Sequence, residues 1–230
     1  MRVLTWNLFH GRSLPPVNRD LSGEFTALIA GWDWDVALLQ EVPPWWPGAL
    51  GRAAEAQQHR VLTSRNSLLP VRRALAAPHP EWMKSNGGGC NAILSRQGIV
   101  EHRRLRLRRW PERRVAQLAR LEDGTCVANF HGSARVPLAE DELAWLWERS
   151  LAWAGVAPLV LGGDLNLRSP AGAERADVAH VARRDVDHIF TRGMEAVGHV
   201  ELLDRHIEKR HGGSTVELSD HLPLLVTVCA

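Results

Sequence analysis

The chain has 230 residues, of which 45% are hydrophobic and 23% are charged, and its formal net charge at pH 7 is +2. These values are typical of a soluble globular protein with one large domain or two small ones, and no apolar run is long enough to span a membrane. So small a net charge does not by itself indicate a nucleic-acid-binding protein. The three cysteines are scattered and odd in number, which fits neither a disulfide framework nor a zinc cluster.

Short apolar or alternating runs bounded by turn residues predict β-strands along the whole chain. The predicted strands lie at residues 3–8, 35–40, 60–63, 91–95, 98–109, 114–121, 125–130, 158–161, 186–190, 197–203 and 222–228. Apolar residues at helical spacing predict helices at residues 21–32, 51–59 and 138–153. Polar or glycine-rich stretches predict loops at residues 85–89, 168–182 and 206–217.

Strands and helices follow one another at uneven intervals, which is typical of an α/β protein without the strict alternation of a parallel doubly wound sheet. No internal repeat and no change in composition marks a linker, so we predict a single domain over residues 1–230. The N-terminus enters a strand pattern at once, without the long apolar stretch of a signal peptide, and we therefore expect a cytoplasmic protein. No sequence feature indicates an obligate protein partner.

The stretch from residue 160 to residue 166 combines the end of a buried strand with two polar side chains. Two glycines follow the apolar run, and then Asp164 and Asn166 stand one residue apart. Alternate residues of an extended segment point the same way, so both side chains are expected to face one space. A carboxylate and a carboxamide at such a position need a partner such as a metal, a water or a phosphate. An ordinary Asp/Asn turn explains this stretch equally well when it is taken alone.

Polar residues also stand at the ends of other predicted strands. The full set is Asn7, Gln40 with Glu41, His131, Asp164 with Asn166, and Asp220 with His221, while Asp187 lies inside a sixth short strand. Each of them alone has an ordinary explanation as a cap, a turn or a hydrogen-bonded core residue. Together they indicate that strand ends converge on one concave polar site on a rigid scaffold.

The residue types of this set favour metal-assisted hydrolysis of a phosphate ester. Carboxylates without cysteine or clustered histidine suit a hard cation, Mg²⁺ or Mn²⁺, rather than zinc. Glu41 is the first choice as a metal ligand, with Asp220 second and Asn7 assisting. An aspartate next to a histidine can supply a base and an orienting group for water. The sequence contains no nucleophile elbow, P-loop or dinucleotide fingerprint.

The positive charge of the chain is concentrated in one segment. Between Arg96 and Arg120 there are nine arginines against two glutamates, Glu101 and Glu112. Arginine clusters suit bidentate recognition of phosphate, which favours nucleic acid, DNA or RNA, as a substrate. The alternative is a solvated strand face in a protein that uses arginine heavily, and charge runs more often have this explanation.

Seven short motifs follow one another along the chain, and they are TWN (5–7), LQEV (39–42), GCNAILSR (89–96), NFH (129–131), GDLN (163–166), DHIF (187–190) and SDH (219–221). Each motif is weak alone, but the ordered set resembles that of the endonuclease/exonuclease/phosphatase superfamily, which includes DNase I. The resemblance implies the DNase I-like fold, a four-layer α/β sandwich of two mixed β-sheets packed face to face with helices outside.

The resemblance also implies a divalent metal ion, Mg²⁺ or Mn²⁺, as the cofactor. Asn7 and Glu41 match metal-site positions of the superfamily, and Asp220 matches a second carboxylate on the metal side. Two departures leave the substrate open. The sequence QEV (40–42) replaces the QETK of apurinic endonucleases, and Cys90 stands where many relatives have an aromatic residue.

Catalytic roles are implied for the remaining candidates. Asp164 matches the residue that orients or deprotonates the attacking water, and Asn166 matches a donor to the phosphate in the transition state. His221 matches the histidine that contacts the scissile phosphate, and Asp187 matches its carboxylate partner. His131 matches a position that contacts the phosphate or the leaving group.

Three hypotheses about function follow from these observations. The first is a metal-dependent phosphodiesterase, of nuclease type, in which Asp164 activates the attacking water. The second is a hydrolase of a small phosphate ester or a phospholipid head group, for which binding would lack the steep salt dependence of a polynucleotide. The third is a catalytically inactive binding protein on the same fold, which the intact set of acid, amide and histidine residues opposes.

Overall fold

A computed structural model describes residues 1–63, 66–82, 89–170, 177–208 and 215–230. Within these ranges the strands are β1 (Arg2–Asn7), β2 (Ser13–Leu14), β3 (Val36–Val42), β4 (Gln57–Leu62), β5 (Cys90–Ser95), β6 (Ile99–Arg108), β7 (Arg114–Leu121), β8 (Cys126–His131), β9 (Leu159–Asp164), β10 (Ala179–Arg184), β11 (Asp187–Arg192), β12 (Glu195–Leu202), β13 (His206–Glu208), β14 (Thr215–Leu218) and β15 (Leu224–Cys229). The α-helices are α1 (Ser22–Gly31), α2 (Pro47–Ala53), α3 (Leu69–Ala76) and α4 (Val136–Ala154). Over the described ranges, no helix has both the length and the apolar character that crossing a bilayer requires.

The strands form two large mixed sheets and one small sheet. The first sheet has the order β12-β15-β1-β3-β5-β4, and the second has the order β10-β11-β9-β8-β7-β6. Each large sheet contains one parallel pair at its centre, β1 with β3 and β8 with β9, and its other pairs are antiparallel. The small sheet has the order β13-β14-β2.

The two large sheets pack face to face, and an apolar layer fills the space between them. Alternate residues of each strand point into this layer, among them Val3, Leu38 and Ile93 of the first sheet and Val127 and Val160 of the second. All five side chains are fully buried. Because burial of apolar surface is the dominant favourable contribution to folding, this layer is the main force that holds the two sheets together.

Helices cover the outer face of each large sheet. On the first sheet, Trp6 of β1 contacts Phe25 of α1 with ring centroids 5.1 Å apart, and Phe25 contacts Trp46 just before α2 at 5.3 Å. On the second sheet, Trp147 of α4 meets Phe190 of β11 edge to face at 5.6 Å. The resulting order of helix, sheet, sheet and helix confirms the predicted four-layer α/β sandwich.

Most of the predicted strands are present with ends close to those expected, but the helix predicted over residues 51–59 is wrong. The helix in this region is α2, which begins at Pro47 and ends at Ala53, so it overlaps the prediction only over residues 51–53. Proline is favoured at the first helical position because its missing N–H would have no partner there. Pro47 therefore begins a helix, and the following polar residues form β4 instead. The sequence patterns did not predict α3.

Two stretches predicted as polar loops contain strands. The end of the 168–182 stretch is part of β10, which pairs with β11. The 206–217 stretch contains β13 and most of β14, which pair with each other. Most described residues of β10 are exposed, so its polar composition reflects contact with water and not an irregular backbone. Residues 171–176 and 209–214, and residues 85–88 of the glycine-rich stretch, lie outside the described residues.

Candidate active site

Six strand ends meet at one edge of the sandwich. The parallel pairs β1–β3 and β8–β9 end there, and the antiparallel strands β11 and β15 begin there. The register places Asn7 beside Gln40, and it places His131 and Asp187 on either side of Asp164. The polar residues that end the predicted strands are therefore brought together by the pairing of the strands themselves.

These strand ends form a pocket of about 310 Å³, here called the polar pocket, that both large sheets line. The predicted site residues that line it are Asn7, Glu41, Asp220 and His221 on the side of the first sheet, and His131, Asp164 and Asn166 on the side of the second. Asp187 does not line the pocket but contacts His221. Gln40 differs from the other strand-end residues, because its side chain is buried between the sheets.

Asp164 is a buried carboxylate whose two oxygens are held by amide donors. Asn7 Nδ2 donates to its Oδ2 at 2.8 Å, and the backbone N–H of Asn166 donates to its Oδ1 at 2.9 Å. The Nε2 atoms of His131 and His221 lie 3.5 Å and 3.7 Å from Oδ2. Burial raises the pKa of Asp164 and outweighs the opposing effects of His221, Asn7 and Asn166. The carboxylate is therefore fixed in orientation and has an increased affinity for a proton.

Glu41 enters the polar pocket because the backbone of β3 is irregular at this point. The pairing of β3 with β5 shifts register between Leu39 and Val42, and Glu41 has a φ of 49°, in the left-handed region. Residues without a glycine's freedom adopt this conformation only when the surrounding structure enforces it, and such positions cluster at functional sites. The bulge turns the Glu41 side chain into the pocket while the preceding residue stays between the sheets.

Imidazoles surround the Glu41 carboxylate. His10 Nε2 lies 3.1 Å from Oε2, and His131 Nε2 lies 3.9 Å from Oε1. Burial alone would raise the pKa of Glu41, but His10 first, with weaker contributions from His131 and His221, lowers that pKa to about 2. Glu41 is thus ionised at every physiological pH, as a ligand for a cation must be.

His221 and Asp187 form a hydrogen-bonded pair at the wall of the polar pocket. The distance between His221 Nδ1 and Asp187 Oδ2 is 2.7 Å. Burial alone would lower the pKa of His221, but its hydrogen bond and charge interaction with Asp187 raise it to about 9, with contributions from Asp164 and Asp220. Burial also raises the pKa of Asp187. At neutral pH the pair is an imidazolium and a carboxylate, and Nε2–H of His221 is left to donate into the pocket.

The loop that carries His221 is fastened to the end of β1. Trp6 Nε1 donates to the carbonyl oxygen of His221 at 2.9 Å, and Ser219 Oγ donates to the carbonyl oxygen of Asn7 at 2.6 Å. Ser219 Oγ also accepts from the backbone N–H of His221 at 3.1 Å. Together these contacts fix the backbone on either side of the histidine, and so they set the position from which its ring enters the pocket.

Asn166 and His131 both line the polar pocket at the end of the second sheet. Asn166 has a φ of 54°, and its Nδ2 donates to the carbonyl oxygen of Gly132 at 3.0 Å, which leaves the second N–H of the amide for another acceptor. Burial, together with the charge of Arg114, lowers the pKa of His131 to about 3. His131 is therefore a neutral imidazole at pH 7, with one ring nitrogen that donates a hydrogen bond and one that accepts.

Gly163 is required by the close approach of β8 and β9 beside Asp164. It has a φ of +139°, and a Cβ at this position would lie 1.9 Å from the carbonyl oxygen of Phe130. No other residue fits there without moving the strands apart. The glycine that the sequence places before Asp164 thus lets the carboxylate stand directly beside His131.

Sequence reasoning missed several residues that line the polar pocket. His10 follows β1 in a short 3-10 helix (Phe9–Gly11), where its φ is 55°. Glu112 lies in the turn before β7, and Arg114 is the first residue of β7. Arg114 is buried and donates to Glu112 Oε2 at 2.8 Å. These residues reach the pocket through loops and through packing of β7 against the neighbouring sheet, and no strand-end pattern marks them.

The oxygen donors of the polar pocket fit a hard divalent cation. Glu41 and Asp220 offer carboxylates, Asn7 offers a carbonyl oxygen, and no thiol lines the pocket among the described residues. A second group, formed by Asp164, Asp187 and His221, has ligand atoms within 4.8 Å of one another. In that group His221 already supplies a positive charge, since it donates to Asp187 and faces Asp164. The donor chemistry therefore favours the Glu41 side for a metal.

Comparison with known structures gives full-length similarity at low sequence identity. A mannosyl-6-phosphatase of Bacteroides thetaiotaomicron superimposes with a TM-score of 0.72 at 15% identity, over 100% of both chains. TDP2 of Caenorhabditis elegans gives a TM-score of 0.72 at 15% identity, over 100% of this chain and 74% of that chain. An endonuclease/exonuclease/phosphatase of Beutenbergia cavernae gives a TM-score of 0.68 at 20% identity, over 99% of this chain and 71% of that chain.

Sequence comparison identifies the family. The model of the Endonuclease/Exonuclease/phosphatase family matches residues 4–221. A comparison with curated protein sequences finds no match for this chain. The family match covers nearly the whole chain, so the protein belongs to the endonuclease/exonuclease/phosphatase family, which confirms the family that the seven motifs indicated.

Proposed function

We propose that the protein is a divalent-metal-dependent hydrolase of phosphodiester bonds, with nucleic acid as its favoured substrate. The observation that carries this proposal is the setting of Asp164. Its two oxygens accept hydrogen bonds from Asn7 and Asn166, and two imidazoles lie within 3.7 Å of it. Membership of the family supports phosphoester chemistry.

Asp164 is assigned to the attacking water. In this mechanism it orients a water molecule and accepts its proton as the water oxygen attacks phosphorus. The amide donors from Asn7 and Asn166 keep the carboxylate from rotating, and burial raises its pKa and thereby makes it a stronger base. The remaining lone pairs of its oxygens are available to the water.

His221, Asn166 and His131 are assigned to the phosphate. As charge develops on the phosphate oxygens, Nε2–H of His221 and the second amide N–H of Asn166 donate to them. Asp187 is a positioning residue in this mechanism, because it holds the His221 ring through Nδ1. His131 lies between Glu41 and Asp164, where it can contact the phosphate or the leaving oxygen.

Glu41 and Asp220, assisted by Asn7, are the residues that would hold the metal ion, Mg²⁺ or Mn²⁺. When bound, the ion would neutralise charge on the phosphate oxygens and polarise the phosphorus for attack. The bulge turns Glu41 into the same pocket as Asp164, and Asn7 donates a hydrogen bond to Asp164, which supports assigning the metal ligands and the attacking water to neighbouring positions.

A second candidate function is the hydrolysis of a small phosphate ester. It is favoured by the modest size of the polar pocket, about 310 Å³, and by the Glu112–Arg114 pair that lines it. A carboxylate and a guanidinium side by side can bind hydroxyl groups of a compact substrate. The similarity in fold to a mannosyl-6-phosphatase is compatible with this candidate.

The test is a metal-supplemented screen of the purified protein over single- and double-stranded DNA, RNA, a small phosphodiester and sugar phosphates. The wild type is compared with Asp164→Asn and with a control variant, Asp141→Asn, whose carboxylate is 70% exposed on α4. We expect hydrolysis by the wild type and by the control, and a loss of at least about 100-fold in Asp164→Asn.

Two outcomes would contradict the proposal as a whole. Absence of activity on every phosphoester, with Mg²⁺ and with Mn²⁺, would favour the catalytically inactive alternative. Equal activity of the wild type and Asp164→Asn would remove Asp164 from the mechanism. A third outcome, activity confined to sugar phosphates, would select the second candidate over the first.

A further inference from the structure

A basic groove of about 800 Å³ lies between the edge strands of the two large sheets. Strand β4 is the edge of the first sheet, and β6 is the edge of the second, and the two lie on the same side of the sandwich. Four arginines and one histidine line the groove, namely Arg60, His102, Arg104, Arg106 and Arg113. No carboxylate is among its lining residues in the described part of the chain.

Two arginines and a histidine of β6 are placed along a line by the geometry of the strand. His102, Arg104 and Arg106 alternate with Leu105 and Leu107, whose side chains pack against the core that α4 covers. Alternate residues of a strand point to one face and repeat about every 7 Å. The arginines therefore form a row that opens on the groove side of the strand.

The charges in the groove are not compensated by acidic residues of the described chain. Arg104 and Arg106 are exposed and make no hydrogen bond or ion pair with any described residue, and Arg113 donates only to the carbonyl oxygens of Leu62 and Thr63. Arg60 donates to the carbonyl oxygen of Pro44. Four guanidinium groups that share a groove without a carboxylate create a strongly positive potential.

Other arginines of the same segment behave differently. Arg103 pairs with Glu101, Arg108 with Glu142, and Arg114 with Glu112. Arg103 lies on β6 but points to the opposite face from Arg104. Ion pairing is therefore available on this part of the surface, and the arginines of the groove differ because they form no ion pair with any described residue.

The basic groove adjoins the polar pocket. Leu62 lines the groove and Thr63 lines the pocket, and in the same way Arg113 lines the groove and Arg114 lines the pocket. The side chain of Arg113 joins these segments, with Nε 2.7 Å from the carbonyl oxygen of Thr63. A chain-like ligand can therefore continue from the pocket into the groove.

We propose that the basic groove binds the phosphate backbone of a single strand of nucleic acid whose scissile phosphodiester lies in the polar pocket. This inference rests on the proposed function and names its substrate class. A single row of guanidinium groups matches one backbone, and arginine suits phosphate through its planar, bidentate donors. The ring of His102, stacked on His59 with centroids 4.4 Å apart, gives the groove a flat surface on which a base can stack.

The test measures binding of a fluorescent single-stranded oligonucleotide of about 20 nucleotides, a length that spans more than one typical single-strand binding site. The groove variant is Arg104→Gln with Arg106→Gln. The control is Arg103→Gln with Arg109→Gln, which removes the same charge from the same segment outside the groove. Fluorescence anisotropy is measured at several salt concentrations in the presence of a chelator to prevent cleavage, and thermal unfolding confirms that all proteins are folded.

We expect the groove variant to bind at least about 10-fold more weakly than the wild type, with the slope of log K against log salt reduced by about 1.4 for two lost phosphate contacts. The control is expected to bind within about twofold of the wild type. If both variants bound the oligonucleotide equally weakly, the effect would depend on net charge alone, and the inference would be overturned. Tighter binding of a duplex than of the single strand would overturn the choice of ligand.

Hydrolysis of a small phosphodiester by the wild type and by Asp164→Asn separates this inference from the proposed function. If the wild type cleaves the small diester and Asp164→Asn does not, the proposed function stands. In that case, an oligonucleotide affinity that is unchanged in the groove variant would contradict the groove inference alone. If no phosphoester is cleaved, the proposed function fails, and with it the assignment of the groove to a substrate.

Discussion

Gln40 and Asn129 join the two large sheets through a buried hydrogen bond, with Gln40 Nε2 2.8 Å from Asn129 Oδ1. Asn129, a residue of the second sheet, also donates to the carbonyl oxygens of Leu39 and Ala92 in the first sheet, at 3.0 Å and 2.9 Å. Both side chains are fully buried. A polar link of this kind fixes the register of one sheet against the other, immediately next to the bulge that carries Glu41.

Replacement of Asn129 by alanine should therefore destabilise the protein by about 3 kcal/mol, because it leaves buried polar groups of the first sheet without partners. Urea unfolding measures this change. The matched control is Gln57→Ala, which removes an exposed hydrogen bond to the backbone of Ile99. Water can replace that bond, so we expect a loss below about 1 kcal/mol. Similar losses in the two variants would contradict the importance of the link.

The Asp187→Asn variant tests the role of Asp187 in positioning His221. The amide keeps the size of the side chain but removes the charge that holds the imidazolium through Nδ1. We expect kcat to fall by at least about 100-fold with a change in KM of less than about threefold, since the effect is on transition-state charge. Steady-state kinetics on a small phosphodiester separate the two constants. A rise in KM with an unchanged kcat would mean that Asp187 acts in substrate binding.

The Glu41→Gln variant tests the metal assignment by direct binding. A neutral amide is a weaker ligand for a hard cation than a carboxylate, so we expect Mn²⁺ affinity, measured by calorimetry, to fall at least about 10-fold. Glu148→Gln, an exposed position on α4, is the control and should bind Mn²⁺ as the wild type does. Unchanged Mn²⁺ affinity in Glu41→Gln would place the metal elsewhere.

Gly163→Ala tests the close approach of β8 and β9. The added Cβ would lie 1.9 Å from the carbonyl oxygen of Phe130, so the strands must separate, and we expect a destabilisation above about 3 kcal/mol. Gly124→Ala is the matched control, because Gly124 has a φ of +86° and a Cβ added there would have no other atom within 4 Å among the described residues. We expect Gly124→Ala to destabilise the protein by about 1 kcal/mol, which is the cost of placing a residue with a Cβ at a positive φ. Thermal unfolding of both variants measures the difference.

His188 should make the protein less stable in mild acid. Its Nε2 donates to the carbonyl oxygen of Leu167 at 2.6 Å, its Nδ1 lies 3.0 Å from His180 Nε2, and burial lowers its pKa to about 4. In the unfolded chain the imidazole binds a proton near pH 6.5. The contribution of neutral His188 to stability is therefore complete above that pH and is lost as the pH falls towards 4. We expect His188 to contribute a loss of about 2 kcal/mol over this interval.

The His188→Gln variant checks this pH dependence. Glutamine can still donate to the carbonyl oxygen of Leu167 but does not titrate, so the free energy of unfolding should fall less steeply between pH 6.5 and pH 4 than in the wild type. Urea unfolding at a series of pH values gives both slopes. Parallel curves for the two proteins would contradict the assignment of the acid sensitivity to His188.

Much of the fold was predictable because its central strands are buried on both faces and are therefore apolar. Strands such as β3 and β9 appear in the sequence as short apolar runs that end on polar residues, and this contrast marks both the strand and the site. Exposed strands such as β10 lack the contrast, and their polar residues resemble those of a loop. The shift of α2 arose from Pro47, which can end a loop or begin a helix.

The candidate site was predictable only in part, for a related reason. Asn7, Asp164 and His221 lie next to apolar strands, and the register of the sheets brings them together. His10 and Arg114 depend on how a loop folds over the strand ends and on how β7 packs, which no local pattern encodes. The sequence also could not show that Glu41 turns into the pocket. In a regular strand it would point to the same outer face as Leu39, and the bulge that redirects it arises from pairing with β5.

The polar pocket belongs to neither sheet alone, since Asn7, Glu41 and the loop residue His221 lie on the side of one sheet, and His131 and Asp164 lie in the other. A folding intermediate with only one sheet formed would therefore contain half of the site. Any ligand that bridges the two halves binds only after the sheets have docked, so its binding stabilises the docked pair of sheets and adds to their free energy of unfolding. Ligand-induced protection from hydrogen exchange should accordingly extend through both sheets, far beyond the residues in contact.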